Sequence, residues 1–165
     1  MQHVQTRSTT SALVLTAVLI ALATLFTMYT KIPVPGIRGY FNVGDVVIMT
    51  SALLLGRKYG AYIGAIGPAL ADLFLGYAVF VPITFVVKGI EGYLVGTVYN
   101  HKTTTSALVA TILGGIIIVA GYFIAEYFVF DPGVAIASIL MNAIQAVMSV
   151  IISMILYAIL RRRLA

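Results

Sequence analysis

Two pairs of polar residues interrupt otherwise apolar stretches of this 165-residue chain: Lys88 and Glu91 in "VVKGIEGY", and Asn142 and Gln145 in "MNAIQAV". Each pair is three residues apart, a spacing that puts both side chains on one face of a helix. Lys88 and Glu91 either neutralise each other as a structural pair or line a cavity for a polar ligand. Asn142 and Gln145 can each donate and accept, so they serve as glue between helices or as partners for a heterocycle or hydroxyls. Further polar groups in apolar surroundings are Asp45, Asp72, Tyr122 and Glu126. Asp45 suits the start of a helix, where the dipole stabilises an acid, and Asp72 suits a pin between helices. Tyr40 and Phe41 follow Arg38 in a segment rich in proline and glycine, and act as interfacial aromatics or as a lid over a pocket.

Other chemistries find no support. Zero cysteines and two distant histidines, His3 and His101, give no metal-ligand spacing and no disulfide. The chain lacks a Gly-x-Ser-x-Gly elbow, a His-Glu-x-x-His pair, a P-loop and a dinucleotide fingerprint. No enzymatic activity, ATP hydrolysis included, and no cofactor is expected. The net charge of +5 is dispersed over short loops and a tail, with no soluble basic face for nucleic acid.

The elements that must position these residues are set by composition. With 61% hydrophobic and 9% charged residues and a mean hydropathy of +1.08, the chain has too much apolar surface for a water-soluble globule of its size. It is expected to be one all-α integral membrane domain over residues 1–165. Crossing about 30 Å of hydrocarbon takes roughly 20 helical residues. Polar and helix-breaking punctuation divides the chain into six transmembrane helices at approximately 11–30, 43–56, 59–77, 82–100, 106–128 and 134–160. The first is read as a membrane helix because it lacks a small-residue cleavage site. The second is short, but counting it places Arg7, Arg57, Lys58, Lys102 and Arg161, Arg162 and Arg163 on the cytoplasmic side, with only Lys31 and Arg38 outside. Both termini are then cytoplasmic. On this topology the embedded carboxylates all lie in the outer half or near the midplane, with Lys88 roughly 9 Å and Glu91 roughly 13 Å from the outer start of their helix.

Small residues recur at four-residue spacing: Ala17 and Ala21, Gly60 and Gly64, Ala65 and Ala69, Gly92 and Gly96, Ala110 and Gly114. Such stripes let helix backbones approach closely, within one chain or against another. No internal repeat is visible, unlike the inverted repeats of many secondary transporters.

"YFNVGDVVIMTSALLLGRKYGAYIGAIGPALADLFLGY", followed by "PITFVVKGIEGYLVG", resembles the substrate-binding S component of energy-coupling-factor (ECF) vitamin transporters, from about Ala12 to the tail. The resemblance is nearest to members for hydroxymethylpyrimidine or vitamin B6 compounds, with the riboflavin type next. It implies a multi-pass protein of the bacterial cell membrane with an outer vitamin pocket roofed by the loop after helix 1. It carries a substrate-binding role onto Tyr40, Phe41, Lys88, Glu91, Tyr122, Glu126, Asn142 and Gln145. It also implies a partner-facing Ala-x-x-x-Ala surface at Ala17 and Ala21, and a complex with a transmembrane coupling subunit and two cytoplasmic ATPases. The absence of tryptophan argues against the tryptophan-lined pocket of the thiamine-binding branch. A stand-alone ion-coupled carrier, with Asp72, Glu91 or Glu126 as its proton site, is the rival reading, and a non-transporting assembly protein is a third.

Overall fold

A computed structural model describes residues 9–33, 38–100 and 103–164. Arg7 and Lys102, which enter the orientation argument, and both histidines lie outside the described residues. Six helices follow one another: α1 (Thr9–Tyr29), α2 (Asp45–Leu55), α3 (Arg57–Phe74), α4 (Phe80–Val98), α5 (Thr104–Val129) and α6 (Pro132–Leu164). Between α1 and α2, β1 (Ile32–Pro33) and β2 (Tyr40–Phe41) pair antiparallel, Ile32 opposite Phe41 and Pro33 opposite Tyr40. This small strap is the only β-structure among the described residues.

By length and apolarity, α1, α4, α5 and α6 can each cross a membrane. Their outward faces carry Leu13, Phe85, Ile116, Phe128, Val147 and Ile155, all exposed, as lipid contact requires. α2 differs from the sequence reading. Its 11 residues reach about 16 Å, roughly half the hydrocarbon. It is buried from Asp45 through Leu53 and packs against α1, α3, α4 and α6 as a central strut.

Local chemistry sets several ends. Gly56 (φ 89°) separates α2 from α3, and Gly76 (φ 82°) follows the end of α3, both in the left-handed region that glycine occupies without a Cβ penalty. Helix α3 thus stops at Phe74 rather than near 77. Pro82 sits in the first turn of α4 instead of at its start, where its missing N–H costs nothing. Thr103 caps α5, its hydroxyl oxygen accepting from the Ser106 amide at 3.1 Å.

α3 and α4 meet at backbone level. A Cβ on Gly60 would collide with the carbonyl oxygen of Gly92, one on Gly92 with that of Gly60, and one on Gly64 with that of Lys88. Gly96 lies against the backbone of Arg57. This contact and the edge-to-face rings of Tyr99 and Tyr157 place Arg57, Lys58, Arg161 and Arg162 at one end of the bundle. An apolar cluster that includes Met49, Leu53, Val95, Ala110, Ile118 and Tyr157 fills that half. The polar residues gather in the opposite half.

Candidate functional site

A cavity of about 40 Å³ opens beneath the strap. Tyr40 and Phe41 of β2 close it on the loop side, and Thr27 of α1 together with α3 to α6 supplies the remaining walls. The Tyr40 hydroxyl donates to Asp72 Oδ1 at 2.6 Å, and its ring leans on Tyr77 at 4.9 Å between centroids. Burial and the adjacent Asp72 carboxylate hold that hydroxyl above its ordinary pKa, so it remains a donor. Asp72 Oδ2 has no hydrogen-bond partner among the described residues. Lys31 lies over the Tyr77 ring at 4.7 Å and Arg38 over the Phe130 ring at 5.0 Å, so two cations flank the strap.

The far side is a buried polar network. Lys88 Nζ donates to Asp45 Oδ1, and Gln145 Nε2 donates to Asp45 Oδ2 at 2.7 Å. Gln145 Oε1 accepts from the Asn42 amide at 3.0 Å, while the Asn42 side chain accepts from the Gly44 amide at 2.9 Å. The connection leading into α2 is thereby tied to α6. Lys88 Nζ also sits 5.4 Å from the centre of the Tyr122 ring, whose hydroxyl is 2.9 Å from Thr84 Oγ1. Glu126 accepts from the Ser138 hydroxyl and joins α5 to α6.

The structure brings Tyr40, Phe41, Lys88, Tyr122, Glu126, Asn142 and Gln145 together around the cavity. Glu91 is not in the lining. It lies behind Lys88, its Oε2 3.7 Å from Nζ and 0% exposed. Lys88 hydrogen-bonds Asp45, 43 residues away, rather than Glu91. Ala17 and Ala21 are on the exposed face of α1.

Sequence reasoning missed Asn42, Thr84 and Ser138, and left Asp72 and Asp45 out of the expected substrate-binding set, reading both mainly as structural and Asp72 as a proton site only in the rival carrier. The available signal was four-residue spacing: Thr84 with Lys88, Tyr122 with Glu126, and Ser138 with Asn142 each share a cavity-facing stripe. Asn42 lies within the "FNVGD" stretch that carries the family resemblance.

A helical membrane bundle with a small polar cavity beneath a two-stranded strap defines the class, the polytopic helical membrane proteins. Residues 7–162 match the family ECF-type riboflavin transporter, S component, and the chain belongs to that family. An uncharacterised protein of Pyrococcus woesei is 41% identical over 144 residues, covering 86% of this chain and 95% of that one. The thiamine precursor transporter HmpT of Lactococcus lactis subsp. cremoris is 29% identical over 148 residues, covering 89% of this chain and 83% of that one. Among solved structures, the S component of a bacterial ECF transporter superposes with a TM-score of 0.72 at 20% identity, covering 94% of this chain and 98% of that chain. The S component for biotin from an ECF-type ABC transporter gives 0.60, also at 20% identity, covering 91% and 94%. These two likenesses bear on the fold. Family membership makes the chain a membrane-embedded transport component of vitamin uptake.

Proposed function

We propose that this S component captures hydroxymethylpyrimidine or a pyridoxine-like vitamin in the cavity beneath Tyr40 and Phe41. The observation that carries this reading is the size and chemistry of the cavity. At about 40 Å³ it is small, and carboxylate, amide and hydroxyl groups face it from several helices. A one-ring heterocycle with amino or hydroxymethyl groups needs little further opening and finds partners in Asn142, Gln145, Glu126 and Lys88. Tyr40, Phe41 and Tyr122 supply ring faces, and Glu91 acts from behind Lys88. The relative that transports a thiamine precursor supports the same ligand class. A riboflavin-type ligand is the second reading, favoured by the name of the matching family. It requires a larger displacement of the strap.

Uptake is then driven by a transmembrane coupling subunit and two cytoplasmic ATPases, which hydrolyse the ATP. The exposed Ala17 and Ala21 stripe meets the coupling subunit. The basic end of the bundle, with Arg57, Lys58 and Arg162 exposed, faces the cytoplasm, along with both termini. Mass spectrometry of the small molecule retained by gently purified protein, followed by calorimetric titration with hydroxymethylpyrimidine, pyridoxine and riboflavin, tests the ligand. A flavin as the sole retained molecule overturns the first reading. Because the chain has no cysteine, Arg38→Cys labelled from outside and Arg57→Cys protected from outside are the expected orientation results, and the reverse pattern overturns it.

A further inference from the structure

Asp45, Lys88 and Glu91 form a cluster in which two carboxylates share one ammonium, with exposures of 0%, 1% and 0%. Lys88 is committed to Asp45 by a hydrogen bond. Glu91 is 3.7 Å from the same nitrogen, and neither of its oxygens has a hydrogen-bond partner among the described residues. Among the described residues, other groups near the cluster bring no compensating positive charge. α3 contributes Asp72 across the cavity, α5 contributes Tyr122 and Glu126, and α6 contributes the uncharged Gln145. The α5 surface directly against the Glu91 side chain is Gly114. With both acids ionised the cluster would hold an uncompensated negative charge, which a buried site at membrane depth strongly disfavours.

We infer that Glu91 is a buried proton site beneath the ligand cavity, neutral while Lys88 pairs with Asp45. The same geometry makes Lys88 a two-position element. When a cationic ligand group takes over the Asp45 oxygens, the ammonium moves toward Glu91 and the carboxyl proton passes to water through the cavity. The ligand cation then balances Asp45 and Lys88 balances Glu91, so the cluster carries no net charge in either state. A neutral ligand leaves Asp45 unbalanced and would not release the proton.

Infrared spectroscopy of the purified full chain, with carboxyl-labelled glutamate, tests this without a ligand. The chain contains two glutamates, Glu91 and Glu126, so only these report. The expected result at neutral pH is a protonated-carboxyl carbonyl band that survives in Glu126→Gln and is lost when Glu91→Gln is added to that variant. Glu126→Gln protein without such a band, or a band that survives in the double variant, overturns the site. Asp45→Asn should abolish the band by freeing Lys88 to pair with Glu91, and its persistence in a folded variant overturns the two-position element. Lys88→Gln gives an independent check. With no ammonium to move, Glu91 keeps its proton, and loss of the band there counts against the mechanism.

Discussion

Two small-residue stripes with the same four-residue spacing meet opposite fates. Gly60 and Gly64 on α3 interlock with Gly92 and the Lys88 backbone on α4, leaving no space for a side chain on either helix. Ala17 and Ala21 on α1 are exposed, beside a shallow groove of about 410 Å³ bordered by Ile20, Tyr59, Tyr62 and Ile66. Spacing establishes that a close approach is possible; it does not say which surface will make it. The buried seam also has a job beyond packing. Gly64 rests on the carbonyl of Lys88 itself, so the seam fixes the height of the one ammonium in the cavity wall relative to Asp45. The α1 stripe touches nothing of the cavity.

Breaking the seam should give the largest effect. Gly92→Leu places a side chain against the backbone of Gly60, which cannot step aside as a flexible side chain could. Overpacking typically costs about 1–3 kcal/mol and occasionally more, and a clash with rigid backbone belongs at the upper end. Loss of monodisperse, helical protein on gel filtration and circular dichroism is expected. A variant that folds with unchanged melting temperature would mean the two helices are not held at backbone distance.

Next comes the cavity that the seam positions. Asn142→Ala removes a lining amide from α6 without touching either stripe. If the amide meets the ligand, its loss costs about 1–3 kcal/mol, roughly 5- to 150-fold in affinity. Apo melting should stay near wild type, since among the described residues no hydrogen bond joins Asn142 to its surroundings in the way Gln145 is joined to Asp45. Calorimetric titration beside melting curves separates the two contributions, and unaltered affinity would remove Asn142 from the site.

Tyr40→Phe should act more weakly. It deletes the hydrogen bond to Asp72 Oδ1 but keeps the ring against Tyr77. A loss of about 0.5–1.5 kcal/mol corresponds to roughly a 2- to 12-fold weaker complex, seen mainly as faster ligand release because the strap is less firmly held. Unchanged dissociation in a stopped-flow measurement would show that the strap does not depend on this contact.

How much of this could be read from sequence follows the range of each interaction. The membrane bundle was legible because apolar spans and their polar breaks are local properties of the chain. The cavity face was half legible: polar residues on apolar helices are conspicuous, and Lys88, Tyr122, Glu126, Asn142 and Gln145 stood out for that reason. Their partners were not, because Lys88 with Asp45 spans 43 residues and Gln145 with Asp45 spans 100. The nearer acid, Glu91, drew attention by its i, i+3 spacing, yet Asp45 takes the hydrogen bond because α2 is drawn wholly into the interior. The shortness of the second span was legible, but nothing local announces that its 11 residues are buried as a central strut.

The smallest effect on the isolated chain belongs to the exposed stripe, and it is the sharpest test of the contrast. Ala17→Leu and Ala21→Leu add bulk to the exposed face of α1, where Ala17 borders the groove against α3, so their cost to stability should stay within about 0.5 kcal/mol, as for surface positions generally. Helix propensity does not oppose them, since leucine is nearly as good a helix former as alanine. Ligand affinity should also be unchanged, because neither residue borders the cavity. What the variants alter is the closeness with which another helix backbone can approach. Co-purification with the coupling subunit and vitamin uptake should therefore fall while melting temperature and affinity hold. A fall in melting temperature comparable to that of the seam variant would make α1 an internal packing face. Full assembly and uptake in the double variant would instead place the partner on another surface of the bundle.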